Sequence, residues 1–285
     1  MKKYFCLILI VYCFLFFIEK INFKSDQAKL IIFSVGQGDA ALLVSPKGKT
    51  LLIDGGPNKI ITNKIGRVFK KRKKTIDYLV LSHAHSDHYI GLLALSDYYH
   101  FENAILATWT DNDLLINWSN DLEEKNTQIM PQSSNLNRYY LEEDCYFDVL
   151  ASPLLFTSNK ENVSENNLSF SLKIDCYGIE ALFTGDLEEE GEESLIKKAP
   201  KSFLSSQIFQ AGHHGSDTSN NIEFLNAVNP DLFIVSVGED NRHGHPGEKT
   251  LNNISKIGAE VFRTDIVGDI KILSNNKEIS VETEN

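Results

Sequence analysis

One apolar strand that runs into metal-ligand chemistry constrains this chain more than any other feature. Tyr78 to Leu81 reads as a strand, and its end opens into Ser82-His83-Ala84-His85-Ser86-Asp87-His88. Extended backbone alternates side-chain direction, so His83 and His85 point one way and can share one metal ion. Asp87 and His88 begin the next turn and can reach a second. Five of the eight histidines lie in two tight groups, this one and His213-His214, while His243 and His245 form a looser pair and His100 stands alone. The fold has to bring several strand ends together, because strand ends are where α/β proteins gather ligands.

Three further strand ends carry ligand-type residues: Phe183-Thr184-Gly185-Asp186, Ala211-Gly212-His213-His214-Gly215-Ser216 and Arg242-His243-Gly244-His245-Pro246. Asp186 could bridge two cations, or simply cap the acidic helix that follows it. Periodicity fills in the frame around these ends. Ile31 to Ser34, Ala41 to Ser45 and Leu51 to Asp54 form an antiparallel meander broken at Gly36-Gln37-Gly38-Asp39 and Pro46-Lys47-Gly48-Lys49. Ile60, Ile61, Ile65, Val68 and Phe69 fall at helical spacing. Later strands at Tyr146 to Leu150, Ser169 to Cys176 and Ala181 to Thr184 precede helices at about Glu188 to Lys198, Asn221 to Ala227 and Lys249 to Ile257. Two strand-rich halves edged by helices predict two packed sheets with helices outside. The polar stretch 109–137, with a helix at about Asp113 to Lys125, reads as a surface insertion.

Charge and the amino terminus bound the function. With 28 Lys plus Arg against 39 Asp plus Glu, the chain carries a formal charge of −11, which argues against a protein that coats nucleic acid by a global positive field. Eight of those cations, Lys59, Lys64, Arg67, Lys70, Lys71, Arg72, Lys73 and Lys74, crowd one stretch without an acid. Lys2 and Lys3 precede an apolar run from Tyr4 to Ile18, short for a bilayer span and followed by no small-residue cleavage site. Residues 1–28 therefore read as an uncleaved signal-anchor and link, with residues 29–285 as an extracytoplasmic domain, secreted if the segment is cleaved. In an oxidising compartment Cys145 and Cys176 are either a pair or two buried thiols.

The combination of His83-x-His85-x-Asp87-His88, Thr184-Gly185-Asp186 and Leu52-Ile53-Asp54-Gly55-Gly56 resembles the metallo-β-lactamase superfamily. More narrowly, Ser34-Val35-Gly36-Gln37-Gly38-Asp39-Ala40, Gly212-His213-His214-Gly215-Ser216, Asn241-Arg242-His243-Gly244-His245-Pro246 and Arg263-Thr264-Asp265 resemble the C-terminal metallohydrolase domain of ComEC-type DNA-internalisation competence proteins. The resemblance spans about Leu30 to Leu273 and implies an α+β four-layer αβ/βα sandwich with two divalent metal ions at one edge. It implies that His83, His85 and one of the His213/His214 pair bind the first metal. Asp87, His88 and His245 would bind the second, and Asp186 would bridge. The other member of the histidine pair would donate a proton to the leaving oxygen, and Asp87 would orient the attacking water. Asp54 and Asp39 would support the ligands from behind, and Asn166 or Asn167 would take the place of a further histidine. Ser34, His243 and Gly247 depart from the family's usual Asp, Tyr and His. The polytopic channel region of the competence proteins has no counterpart here.

Imidazole and carboxylate ligands suit Zn²⁺, and equally Mn²⁺ or Fe. The expected activity is hydrolysis of a phosphodiester, with single-stranded DNA as a candidate substrate, by a two-metal site anchored outside the cell through residues 4–18. A phosphorylcholine-type or other small-ester hydrolase would use the same metals, and a non-catalytic DNA-uptake accessory would need a basic path to the site. The Lys59 to Lys74 helix starts beside Gly55-Gly56 and ends about 20 Å from the chemistry at 1.5 Å per residue. It therefore reads first as a solvated face whose cations complement the helix dipole.

Overall fold

The structure is a computed structural model that describes residues 27–70, 73–107, 112–131, 135–152, 163–276 and 278–284. The amino-terminal run 4–18 lies outside them. Among the described residues no helix is long and apolar enough to cross a membrane.

The first sheet begins as the meander that the sequence predicts: β1 (Ala28–Ile32), β2 (Ala41–Val44) and β3 (Thr50–Ile53) pair antiparallel. It then turns parallel through β4 (Thr75–Leu81), β5 (His100–Leu106) and the two-residue β6 (Gln128–Ile129). The second sheet repeats that plan. β7 (Asn137–Glu142), β8 (Cys145–Leu150), β9 (Ser171–Cys176) and β10 (Ile179–Phe183) are antiparallel, and β11 (Ile208–Gln210), β12 (Leu232–Val235) and β13 (Glu260–Arg263) continue in parallel. β14 (Ile270–Ser274) returns to pair with β1, and β15 (Ile279–Thr283) closes that edge.

The period of two along each strand sorts side chains into layers. In β1, Leu30 and Ile32 face the core between the sheets, where they join Phe147, Leu172, Ile174 and Phe183. Ile31 points the other way, into a layer with α1 (Ile60–Val68), α2 (Ser86–Leu95) and α3 (Asp113–Glu124). The outer face of the second sheet is covered by α4 (Glu189–Lys198), α5 (Lys201–Leu204), α6 (Ile222–Val228) and α7 (Glu248–Ile257). The result is the four-layer αβ/βα sandwich. Stretch 109–137, expected as a surface insertion, belongs to it: Leu115, Trp118 and Leu122 of α3 are buried against the first sheet, and β6 extends that sheet. Within α3 most of the polar side chains lie on the face turned away from the sheet.

The disulfide is formed: Cys145 and Cys176 face each other across β8 and β9, and both are fully buried.

Parallel strands place their carboxyl ends at one edge of a sheet, and this brings the ligand-bearing turns together. After β3 comes Asp54, after β4 His83, after β10 Asp186, after β11 His213 and His214, and after β12 Ser236. Two glycine contacts hold that edge tight. A Cβ on Gly91 of α2 would lie 1.8 Å from the Gly55 carbonyl oxygen, and one on Gly38 would lie 2.2 Å from the Asp87 carbonyl oxygen. Gly91→Ala should therefore destabilise the fold by at least the ~1–3 kcal/mol typical of overpacking. Gly66→Ala, whose new methyl would meet only the Tyr99 hydroxyl at 3.7 Å, should be neutral or stabilising, since it removes a helix glycine. Thermal melts of the two variants check this, and equal behaviour would refute the close-approach argument.

Candidate metal centre

Asp186 sits at the middle of the assembled edge, 2% exposed. Its Oδ2 faces His83 Nε2 at 3.5 Å and His213 Nε2 at 3.9 Å, and its Oδ1 faces His88 Nε2 at 3.3 Å and His214 Nε2 at 3.7 Å. His214 Nε2 also lies 3.3 Å from Asp87 Oδ2. Ligand atoms thus fall into two sets that share one carboxylate: His83, His85 and Asp186, and Asp87, His88, Asp186 and His214. His83 Nε2, His88 Nε2, His214 Nε2 and Asp186 Oδ1 are all buried and make no hydrogen bond. Buried polar atoms are ordinarily paired, so four orphans aimed at one another are a set of lone pairs awaiting cations. The donor set of imidazole and carboxylate fits divalent metal ions.

The opposite nitrogen of each buried ring is fixed by the scaffold. Asp54 accepts from His88 Nδ1 at 2.9 Å while receiving Ser82 N at 2.8 Å and Ser82 Oγ at 2.7 Å. Asp39 Oδ1 and the Ser236 carbonyl both lie 3.1 Å from His214 Nδ1. A proton held on Nδ1 leaves the Nε2 lone pair facing the centre. Asp39 and Asp54 thus have the supporting place that the resemblance implied. The His213-His214 turn is held by Asn220, whose side chain bonds both Gly212 N and Gly212 O, at 3.0 and 2.9 Å. Glu192, buried below, accepts from Asn220 N and Asn221 N at 2.6 and 3.0 Å, and burial pushes its carboxyl up to about 8. Asp54, His213 and His214 all have positive φ, at 56°, 50° and 54°, a conformation that persists in non-glycine residues only where the surroundings enforce it. The Arg263-Thr264-Asp265 motif is structural: Arg263 pairs with Asp265 at 2.6 Å, and Thr264 Oγ1 accepts from Val237 N at 2.8 Å.

Electrostatics follow from this crowding. Burial would raise Asp186, but the imidazoles of His214, His88 and His83 hold it well below the usual carboxylate range. Burial opposes charge on His88 and His214, yet Asp186 with Asp54, and Asp186 with Asp39, raise them well above an ordinary imidazole. Burial and the neighbouring His88 lower His83. His245 is lowered to about 4 by burial and by His213, His214 and His243.

His83, His85, Asp87, His88, Asp186 and His214 are brought into the two sets, and His214 joins the set of Asp87 and His88. His213 reaches Asp186 from the side of His83, with its Nδ1 3.3 Å from Thr218 Oγ1 and 3.7 Å from Glu188. His245, expected as a ligand of the second metal, stands one residue further out: its ring centroid is 5.8 Å from that of His213 and 5.6 Å from that of His243. Its backbone is held there by Asn241, which bonds both His245 N and His245 O. Asn167, considered for a missing histidine, instead accepts from Glu188 N and Gly191 N at the start of α4, and Asn166 donates to Glu188. Glu165, the acid just before that pair, is the one that reaches His85, at 3.2 Å. Its position beside the two asparagines was the available sequence signal.

Residues 34–112 match the sequence profile of the Metallo-beta-lactamase superfamily, and the architecture around them is the metallo-β-lactamase fold. Among individual proteins, the chain is 30% identical over 247 residues to "Competence protein ComA" of Neisseria gonorrhoeae, a match covering 86% of this chain and 32% of that protein. It is 28% identical over 275 residues to "ComE operon protein 3" of Bacillus subtilis, covering 89% of this chain and 34% of that protein. The chain thus spans about a third of the length of these curated relatives. The metallo-beta-lactamase fold protein YhfI from Bacillus subtilis superposes with a TM-score of 0.53 at 11% identity, over 83% of this chain and 96% of YhfI. That is a likeness of fold.

Two predictions follow the geometry. His88 and His214, raised above their ordinary pKa, carry protons near pH 7 in the metal-free chain, and coordination requires their lone pairs, so metal loading should release protons. Calorimetric heats of Zn²⁺ binding should then vary with the ionisation enthalpy of the buffer, and invariant heats would contradict it. Asp54→Asn, which weakens the hold on His88, should lower affinity for one of two ions by about 10–100-fold, read by competition with a chromogenic chelator.

Proposed function

We propose that the chain is a two-metal hydrolase acting on phosphodiesters, held outside the cytoplasm. The observation that carries the reading is the convergence of His83, His88 and His214 Nε2 on the two oxygens of Asp186 without a hydrogen bond among them. Divalent ions bound there would supply Lewis acidity and lower the pKa of water towards neutrality. His83, His85 and Asp186 would hold one ion, and Asp87, His88, His214 and Asp186 the other. Asp87, partly open at the rim with a side-chain exposure of 31%, is placed to orient an attacking water. His213, held beside Asp186 and Thr218, is an imidazole that belongs to neither set and would donate a proton to the departing oxygen.

Two observations support the phosphodiester and the compartment. A relative 30% identical to the chain bears the name of a competence protein, and the neutral His245 beside His213 gives the rim a further hydrogen-bonding group for an anionic substrate. The Cys145–Cys176 disulfide suits an oxidising compartment, consistent with an anchor at residues 4–18. Zn²⁺, Mn²⁺ and Fe all suit the ligands.

The test is hydrolysis of bis-p-nitrophenyl phosphate, single-stranded DNA and a phosphorylcholine ester by the chain loaded with each metal. Turnover of the phosphodiesters should vanish with chelator and fall by at least ~10²-fold in His83→Ala and Asp87→Ala, since each removes a ligand. Turnover confined to the phosphorylcholine ester would replace the proposed substrate class, and unaltered turnover in both variants would refute the two-metal site.

A further inference from the structure

Three cations of the basic stretch, Arg67, Lys70 and Lys74, line a concave surface. Along one flank of α1 and beside the segment that follows α2 lies a groove of about 680 Å³, lined by Thr62, Asn63, Gly66, Arg67, Lys70, Lys74, Tyr98 and Tyr99. Among the described residues its lining carries three cations and no acid. The carboxyl end of α1 contributes about half a unit of negative charge, which three cations more than offset, leaving the groove positive. Those cations have little else to do: among the described residues Lys70 and Lys74 form no ion pair, and Arg67, 76% exposed, comes no nearer an acid than 4.0 Å, at Glu284.

The aromatic residues define the ligand more closely. Lys74 Nζ lies over the Tyr99 ring at 5.3 Å from its centroid. Tyr98 on the rim is 61% exposed, a large ring with one face in water. Cations for phosphates beside a free ring for stacking are the two components of a surface that tracks single-stranded nucleic acid. A bilayer would meet a convex or flat patch, whereas a strand enters a groove. On a chain of net charge −11, such a local positive surface is also where a polyanion would be held against the general repulsion.

We propose that this groove is a binding site for single-stranded nucleic acid, with Arg67, Lys70 and Lys74 on phosphates and Tyr98 stacked on a base. β4 runs from Thr75, next to the Lys74 end of the groove, to Leu81, next to His83, and at about 3.3 Å per residue it separates that end from the metal centre by roughly 20 Å. The groove therefore holds a strand several nucleotides away from the bond being cut. This use in hydrolysis rests on the phosphodiester reading above, but the binding does not.

Fluorescence anisotropy of a labelled oligothymidylate, on the full chain in detergent and EDTA, reads binding without turnover. The affinity should fall with salt on a logarithmic slope of about −2, the value for three phosphate contacts on a single strand. The double variant Arg67→Glu, Lys74→Glu and the single variant Tyr98→Ala should each bind about tenfold or more weakly. Melting temperature and turnover of bis-p-nitrophenyl phosphate should be those of the native chain. Unchanged binding in either variant overturns the proposal. So does a charge-reversed variant that loses only its binding to phosphatidylglycerol vesicles, which would make the groove a lipid contact. A native chain that cleaves no phosphodiester, but loses the oligonucleotide in both variants, would sustain the groove and remove the proposed function.

Discussion

The buried carboxylate of Asp186 is the constraint on which the site depends. A carboxylate shielded from water is costly unless it is paired, and here the partners are imidazoles whose Nε2 atoms approach each of its oxygens. In the metal-free chain that balance is kept by protons on His88 and His214. The same atoms, once deprotonated, would be available as ligands, so one arrangement of charge could serve both folding without metal and coordination with it. Nothing apolar could replace Asp186 without leaving several buried nitrogens with neither a proton partner nor a cation.

The fold supplies this crowding through its repeated plan. Each sheet begins as an antiparallel meander and continues in parallel, which delivers the ligand turns to one edge from both sheets. The turns are then fixed from behind: Asp54 with Ser82 on His88, Asp39 with Ser236 on His214, Asn220 on the His213-His214 turn. Glycines at 38 and 91 allow backbones to cross where no side chain would fit. Positive φ at Asp54, His213 and His214 shows that the local conformation is set by these contacts rather than by the preferences of the residues themselves.

Much of this was legible in the sequence because it depends on local patterns. The meander, the strand before His83, the helix at Asp113 and the grouping of His83, His85, Asp87, His88 and Asp186 as candidate ligands follow from periodicity, turn residues and motif spacing. The rest depends on which elements meet in space. α3 looked like an insertion because its polar face dominates its composition, while the three residues that dock it are spread along the helix. β7 and β15 are half-exposed edge strands with weak apolar patterning. That His214 joins the set of Asp87, with His245 one ring further out, is decided by a left-handed pair of residues that spacing cannot reveal. Glu165 beside His85 arises from a turn ahead of β9, far from the histidine motif in sequence.

The central claim is that two cations share Asp186. Anomalous diffraction from Zn²⁺-loaded crystals tests it most directly, because it locates metal without reference to activity. The account predicts two peaks about 3.5–4 Å apart flanking the Asp186 carboxylate, one beside His83 and His85 and the other beside Asp87, His88 and His214. A single peak, or a pair that does not share Asp186, would contradict it.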